Sequence, residues 1–122
     1  MTGNDASPNI KTLPVWDKDL ALAQLDGNTQ LLDHIVKLYI DKVEEIFIEL
    51  EFFINNAHLK EIFPLAHDLK DLSRSVGAIR IAEIALMLES EHTTLPTEQL
   101  KNAYTDLENE FQAFKQAHDE PA

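Results

Sequence analysis

His67 is the residue of this chain best suited to covalent chemistry, and it sits in the run Ala66-His67-Asp68-Leu69-Lys70-Asp71-Leu72-Ser73-Arg74-Ser75-Val76-Gly77-Ala78. A neutral imidazole offers a nucleophilic nitrogen near pH 7, and a phosphoryl group taken up on it forms a phosphoramidate of high transfer potential. Phosphoryl transfer spreads negative charge over oxygens around a loose in-line transition state. Such a carrier therefore needs exposure, room and a nearby cation more than a catalytic base. On a helix of about 3.6 residues per turn, Ile62, Leu65, Leu69, Leu72 and Val76 share one stripe, and Phe63, His67, Lys70, Asp71 and Arg74 share the opposite one. His67 is expected in water, with Lys70 one turn away and Arg74 two turns along the same face.

The elements that must hold this face follow from apolar spacing and caps. Asp17 suits the N-cap of a short helix through Leu25, with Leu20, Ala21 and Leu25 inward and Asp26-Gly27 closing it. Asn28 can cap the next helix. From Gln30 to about Asn55 the positions Leu32, Ile35, Val36, Tyr39, Val43, Ile46, Phe47, Leu50 and Phe53 keep the i, i+3, i+4 rhythm with neither Pro nor Gly. Asn55-Asn56 reads as a tight turn, because Asn tolerates the left-handed conformation. A third helix runs to Val76, where Gly77 supplies positive φ, and a fourth from Ala78 to about Glu91 buries Ile81, Ile84, Ala85 and Leu88. After Thr93, Thr94 and Pro96, a fifth helix carries Leu100, Ala103 or Tyr104, Leu107, Phe111 and Phe114, with Pro96 in its first turn. Nothing reads as a strand. The expected fold is all-α, an up-down antiparallel four-helix bundle with a short additional N-terminal helix. Residues 1–14, with Gly3, Asn4, Ser7, Pro8, Asn9 and Pro14, read as a flexible leader or linker, 15–118 as the bundle and 119–122 as a disordered tail.

The spacing His67-x-Leu69-Lys70, then six residues and Gly77-Ala78, resembles the phosphoryl-acceptor helix of histidine-containing phosphotransfer (HPt) domains, the carriers of two-component phosphorelays. The resemblance extends from about Trp16 to Glu91 through the order of the short first helix, the long second helix, the turn ahead of the histidine and the fourth helix. It implies that His67 is the phosphorylated residue and that Lys70 interacts with the phosphoryl group; Arg74 is added from its place on the helix face. It further implies response-regulator receiver domains as partners, and admits a hybrid sensor kinase. Magnesium would belong to the partner's acidic pocket, so the domain needs no cofactor and no metal of its own. A domain of this kind is a monomeric carrier and not an enzyme.

Two positions depart from the family pattern. The residue after the lysine is usually glycine, which leaves space for the phosphoryl group, and here it is Asp71, at i+4 from His67. A carboxylate there repels an arriving phosphoryl group and slows transfer, unless Asp71 turns toward Arg74 or Ser75, or orients His67 by a bond to one ring nitrogen. Pro64 lies three residues before His67, where an interior proline costs about 3 kcal/mol. If the helix restarts there, His67 comes close to a helix N-terminus whose partial charge favours phosphate. The stretch Ile46 to Ile54 is apolar almost all round its helix, so Ile48 and Phe52, together with Phe63, are candidates for an apolar rim where a receiver domain docks. The alternative for Ile48 and Phe52 is cover by the N-terminal or C-terminal helix.

Composition removes other classes. Ten basic and twenty-two acidic side chains give a net charge of −12, which disfavours nucleic acid and anionic membrane. With no cysteine there is neither a disulfide framework nor a thiolate zinc site. No apolar run is long enough to span a bilayer and no signal peptide is evident, so the reading is cytoplasmic. Two rivals remain. One is an HPt-like docking module that binds a receiver domain or other regulator without efficient phosphotransfer. The other is a metal-binding helical bundle, suggested by the single Glu-x-x-His at Glu89 to His92, although such sites use two copies of that motif. His34, His58, His92 and His118 are expected as ordinary surface or capping residues.

Overall fold

The computed structural model describes residues 9–120. It contains five helices and, among the described residues, no strand: α1 Lys18–Ala23, α2 Thr29–Asn55, α3 Leu59–Val76, α4 Ile79–Glu91 and α5 Thr97–Asp119. Contacts run in a closed cycle, α2 to α3, α3 to α4, α4 to α5 and α5 back to α2, while α1 packs on α2 and α3. The core lies along the axis of that cycle. Leu32, Val36, Val43 and Leu50 of α2 face Leu100, Leu107 and Phe114 of α5, with Ile62 and Leu69 of α3 and Ile84 and Leu88 of α4 completing it.

The caps behave as their chemistry requires. Asp17 accepts from the backbone N–H of Leu20 at 3.1 Å, and Asn28 from that of Leu31 at 3.0 Å, each filling one orphan donor of a first turn. Gly77 ends α3 at φ 80°, and the N–H of Ala78 donates to the carbonyl of Ser73 at 2.8 Å in a Schellman closure. The same glycine has a second task, because the N–H of Asp17 donates to its carbonyl at 2.8 Å. A Cβ at this position would stand 2.3 Å from the Asp17 carbonyl oxygen. Trp16 fastens the same junction, its indole N–H donating to the carbonyl of Val76 at 2.8 Å.

Several local expectations are revised. Leu20 is 43% exposed instead of inward, since Ala21 is the α1 residue that reaches the core. At the α2–α3 turn the positive φ belongs to Ala57, at 55°, and to neither Asn; Asn56 instead donates its side-chain amide to the Phe52 carbonyl at 2.8 Å. Pro64 does not restart the helix, because α3 is continuous from Leu59 to Val76 and His67 lies two turns inside it. The carbonyl of Lys60 loses a helix donor there, but Lys60 is exposed and water can replace it. Residues 9–14, assigned by composition to the leader, pack on the bundle: Ile10 is buried, and Arg80 donates to the carbonyl of Leu13 at 2.8 Å. The rest of the leader expectation, and residues 121–122 of the tail, lie outside the described residues.

Candidate functional site

The inner face of α3 fixes the outer one. Ile62, Ala66, Leu69, Ser73 and Val76 are buried, with Leu65 and Leu72 half-buried along one edge of that line. The stripe is therefore shifted from its purely apolar reading toward Ser73 and Ala66. Its hydroxyl shares a hydrogen bond of 2.8 Å with the buried Tyr39 hydroxyl of α2. Burial pushes the Tyr39 phenol well above its ordinary pKa, so that group stays neutral and works as a hydrogen-bonding hydroxyl. This bond lies on the buried side of α3, whose apolar residues turn His67 outward.

His67 is 46% exposed, and each of its ring nitrogens meets a carboxylate. Nδ1 is hydrogen-bonded to Oε2 of Glu89, which comes across from the last turn of α4. Nε2 lies 3.3 Å from Oδ2 of Asp71 on its own helix. The Glu89 carboxylate has a second partner in the Lys70 ammonium, 2.7 Å from Oε1, and these two side chains are only 12% and 13% exposed. Phe63 stacks on the His67 ring at 6.1 Å between centroids and 13° between planes. On its other side Phe63 meets His92, whose Nδ1 is bonded to the Glu89 carbonyl at 2.9 Å.

These contacts favour one tautomer of the neutral ring. The Lys70 bond first, and the His67 bond second, hold the Glu89 carboxyl below its ordinary pKa against an opposing effect of burial. An ionised carboxylate only accepts, so Nδ1 carries the hydrogen it donates to Glu89. In the neutral ring the lone pair then falls on Nε2. The arrangement can offer that nitrogen to an electrophile brought from outside, with Phe63 closing one face of the ring and Lys70 one turn away.

Among the residues that the sequence nominates, His67, Lys70, Asp71 and Phe63 come together. Arg74 does not join them: it is exposed in the last turn of α3 and forms no ion pair with a described residue. Asp71 faces His67 instead of Arg74, while Ser75 bonds the Leu72 carbonyl. Ile48 and Phe52 are 72% and 54% exposed, so no helix covers them. They stand on α2 among other neighbours, Phe52 beside Phe53 and His58, and Ile48 on the edge of a groove between α2 and α5. The residue that sequence reasoning missed in this site is Glu89, which it met only as part of Glu-x-x-His. That spacing does not assemble a metal pair, since the Glu89 carboxylate turns to α3 while the His92 ring bonds the backbone.

Fold and site together define a helical bundle that presents one histidine, held by carboxylates, on its outer surface. A family model described as the Hpt domain matches residues 34–117, from early α2 to the end of α5, and the chain belongs to that family. Hpt domains are phosphotransfer modules of phosphorelays, not classical enzymes, and interact with response-regulator receiver domains. Neither a curated protein nor a solved structure matches the chain significantly. Among the described residues, no helix is long and apolar enough to cross a membrane.

Proposed function

We propose that the chain is a histidine phosphotransfer carrier in which Nε2 of His67 accepts a phosphoryl group from the aspartyl phosphate of one receiver domain and passes it to another. The lone pair of Nε2 forms the N–P bond as the acyl P–O bond breaks, and the aspartate carboxylate leaves with that electron pair. The Nδ1 hydrogen stays on its bond to Glu89, which spreads the positive charge that develops on the ring. The observation that carries this reading is the half-exposed His67 ring, engaged at Nδ1 by an ionised Glu89 so that the nucleophilic pair falls on Nε2. Lys70 stands ready to move from Glu89 to the phosphoryl oxygens. Arg74 and Phe63 border the docking surface, and Ile48 and Phe52 serve only a partner that reaches α2.

The carrier works as a monomer in the cytoplasm, and magnesium enters with the receiver. The cyclic contacts and the short connections, 56–58, 77–78 and 92–96, support an up-down antiparallel path for α2 to α5. A second reading, docking without efficient transfer, draws on Asp71 at 3.3 Å from Nε2. The test is transfer of labelled phosphoryl from a panel of phosphorylated receiver domains to the wild type and to His67→Gln. Acid-labile, alkali-stable label on the wild type alone supports the carrier. Receiver binding with no label on either protein supports the docking module.

A further inference from the structure

We infer that Asp71 is a labilising residue of this site: its carboxylate beside Nε2 keeps the phosphohistidine short-lived and sets the exchange toward the receiver aspartate. The inference rests on the carrier reading of His67 and concerns what happens once the phosphoryl group is there.

Its basis is the asymmetry of the two carboxylates. Glu89 is matched by a cation, Lys70, at 2.7 Å and is 12% exposed. Asp71 is 60% exposed, and its ion pair is to His67, through the same nitrogen that must carry phosphorus. Once Nε2 carries phosphorus, the Asp71 carboxylate faces phosphoryl oxygens with no hydrogen between them, whereas Nδ1 keeps its hydrogen toward Glu89. Lys70 must give up its 2.7 Å contact with Glu89 to reach the phosphoryl oxygens, and Arg74 lies two turns along the helix from His67, so neither cation stands between Asp71 and Nε2. The other group on the ring is Phe63, which is apolar; His92 lies beyond Phe63, its Nδ1 bonded to backbone.

Two consequences follow from charge and one from space. Repulsion between a carboxylate and a phosphoryl group about 5 Å apart at a wet surface corresponds to roughly tenfold in an equilibrium constant. That factor lowers the phosphorylated fraction of His67 against any receiver, and it shortens the lifetime because the repulsion is relieved as the N–P bond stretches in a loose transition state. The side chain also stands where a phosphoryl donor approaches Nε2, so it slows uptake until it rotates away.

Asp71→Asn removes the charge and keeps the volume, Asp71→Gly removes both, and Asp71→Glu keeps the charge. Because Asp71 is exposed, all three are expected to fold, which far-UV circular dichroism checks. Each protein, with wild type and His67→Gln, is loaded from a labelled receiver domain and, separately, from potassium phosphoramidate, a donor without a docking surface. The readouts are the equilibrium fraction labelled and the decay of label after the donor is removed. The expected result is about a tenfold higher ratio of labelled to unlabelled protein and a several-fold longer lifetime in Asp71→Asn and Asp71→Gly, wild-type behaviour in Asp71→Glu, and faster loading in Asp71→Gly with both donors. If Asp71→Asn and Asp71→Gly match the wild type while His67→Gln takes no label, the inference is overturned and the carrier stands. A change confined to the receiver-driven rate, with lifetime unaltered, also overturns it and makes Asp71 a partner contact. If wild type takes no label at His67 from either donor, carrier and inference fall together.

Discussion

Gly77 and Gly27 form a natural pair for testing how α3 is anchored, because they share a backbone conformation and differ in what surrounds it. Their φ values are +80° and +77°; a Cβ on Gly27 meets nothing within 4 Å, whereas one on Gly77 meets the Asp17 carbonyl oxygen at 2.3 Å. Alanine at either position carries the left-handed penalty, about 1–2 kcal/mol, less a few tenths returned by the stiffer unfolded chain. Gly77→Ala must also push back the Asp17 carbonyl, a fixed backbone group held by the bond of 2.8 Å from the Asp17 N–H to the Gly77 carbonyl. Forced overpacking of that kind adds about 1–3 kcal/mol. The expected losses are therefore about 1 kcal/mol for Gly27→Ala and about 2–5 kcal/mol for Gly77→Ala, or roughly 4 °C and 10–20 °C in Tm for a domain of this size. Urea unfolding followed by circular dichroism gives both numbers, and the indole of Trp16, bonded to Val76 beside the junction, reports separation of the N-terminal segment. Equal losses in the two variants, within about 0.5 kcal/mol, would show that the close approach of α1 to the end of α3 contributes nothing.

The remaining expectations concern the site and its support. Glu89→Gln is expected to slow phosphoryl uptake by His67 roughly tenfold while leaving the fold intact, because an amide cannot accept from both the Nδ1–H and the Lys70 ammonium as two carboxylate oxygens do; single-turnover labelling measures it. Stability should fall in acid. Glu89 and Asp33 are both held below their usual values, Glu89 by Lys70 and then His67, Asp33 by Lys37 and then His118. The unfolded chain binds protons first as pH drops, so their contribution is complete above the ordinary carboxylate range and is lost as pH falls through the depressed folded values. Urea midpoints from pH 7 to pH 3 should decline, and less steeply in Glu89→Gln. Tyr39→Phe and Ser73→Ala should each cost about 1–3 kcal/mol by orphaning a buried hydroxyl, and the double variant less than the sum, as a double-mutant cycle in urea reads out.

The helices were legible because each has an uninterrupted apolar period and a chemically recognisable end, Asp17, Asn28 and Gly77 above all. What escaped was whatever depends on a partner from another element. The apolar stripe read for α3 left Ser73 out, yet Tyr39 from α2 supplies the hydrogen bond that lets it be buried. Glu89 lies twenty-two residues from His67, and no periodicity within α4 says that its carboxylate reaches over to α3. Its one visible trace is position, as the first acidic residue after the run that ends at Leu88. Ile10 was hidden by Asn, Pro and Ser neighbours whose composition argues for solvent, although a single apolar anchor and the two carbonyls held by Arg80 dock the segment. The left-handed residue of the α2–α3 turn is Ala57, where helix closure places it, and the preference of Asn for that conformation was overruled.

The site itself separates into a part that α3 encodes alone and a part that exists only when α3 and α4 pack. His67, Asp71 and Phe63 are one turn apart on a single helix, so their proximity survives in any conformation where α3 is helical. The Glu89 contact does not: it fixes the ring tautomer and holds Lys70 only while the last turn of α4 lies against α3. Loss of that packing would leave imidazole and Asp71 together without the carboxylate that places the hydrogen on Nδ1. In the proposed carrier, competence to offer Nε2 is thus a property of the folded bundle, and the buried faces of α3 and α4 belong to that chemistry as much as the exposed histidine does.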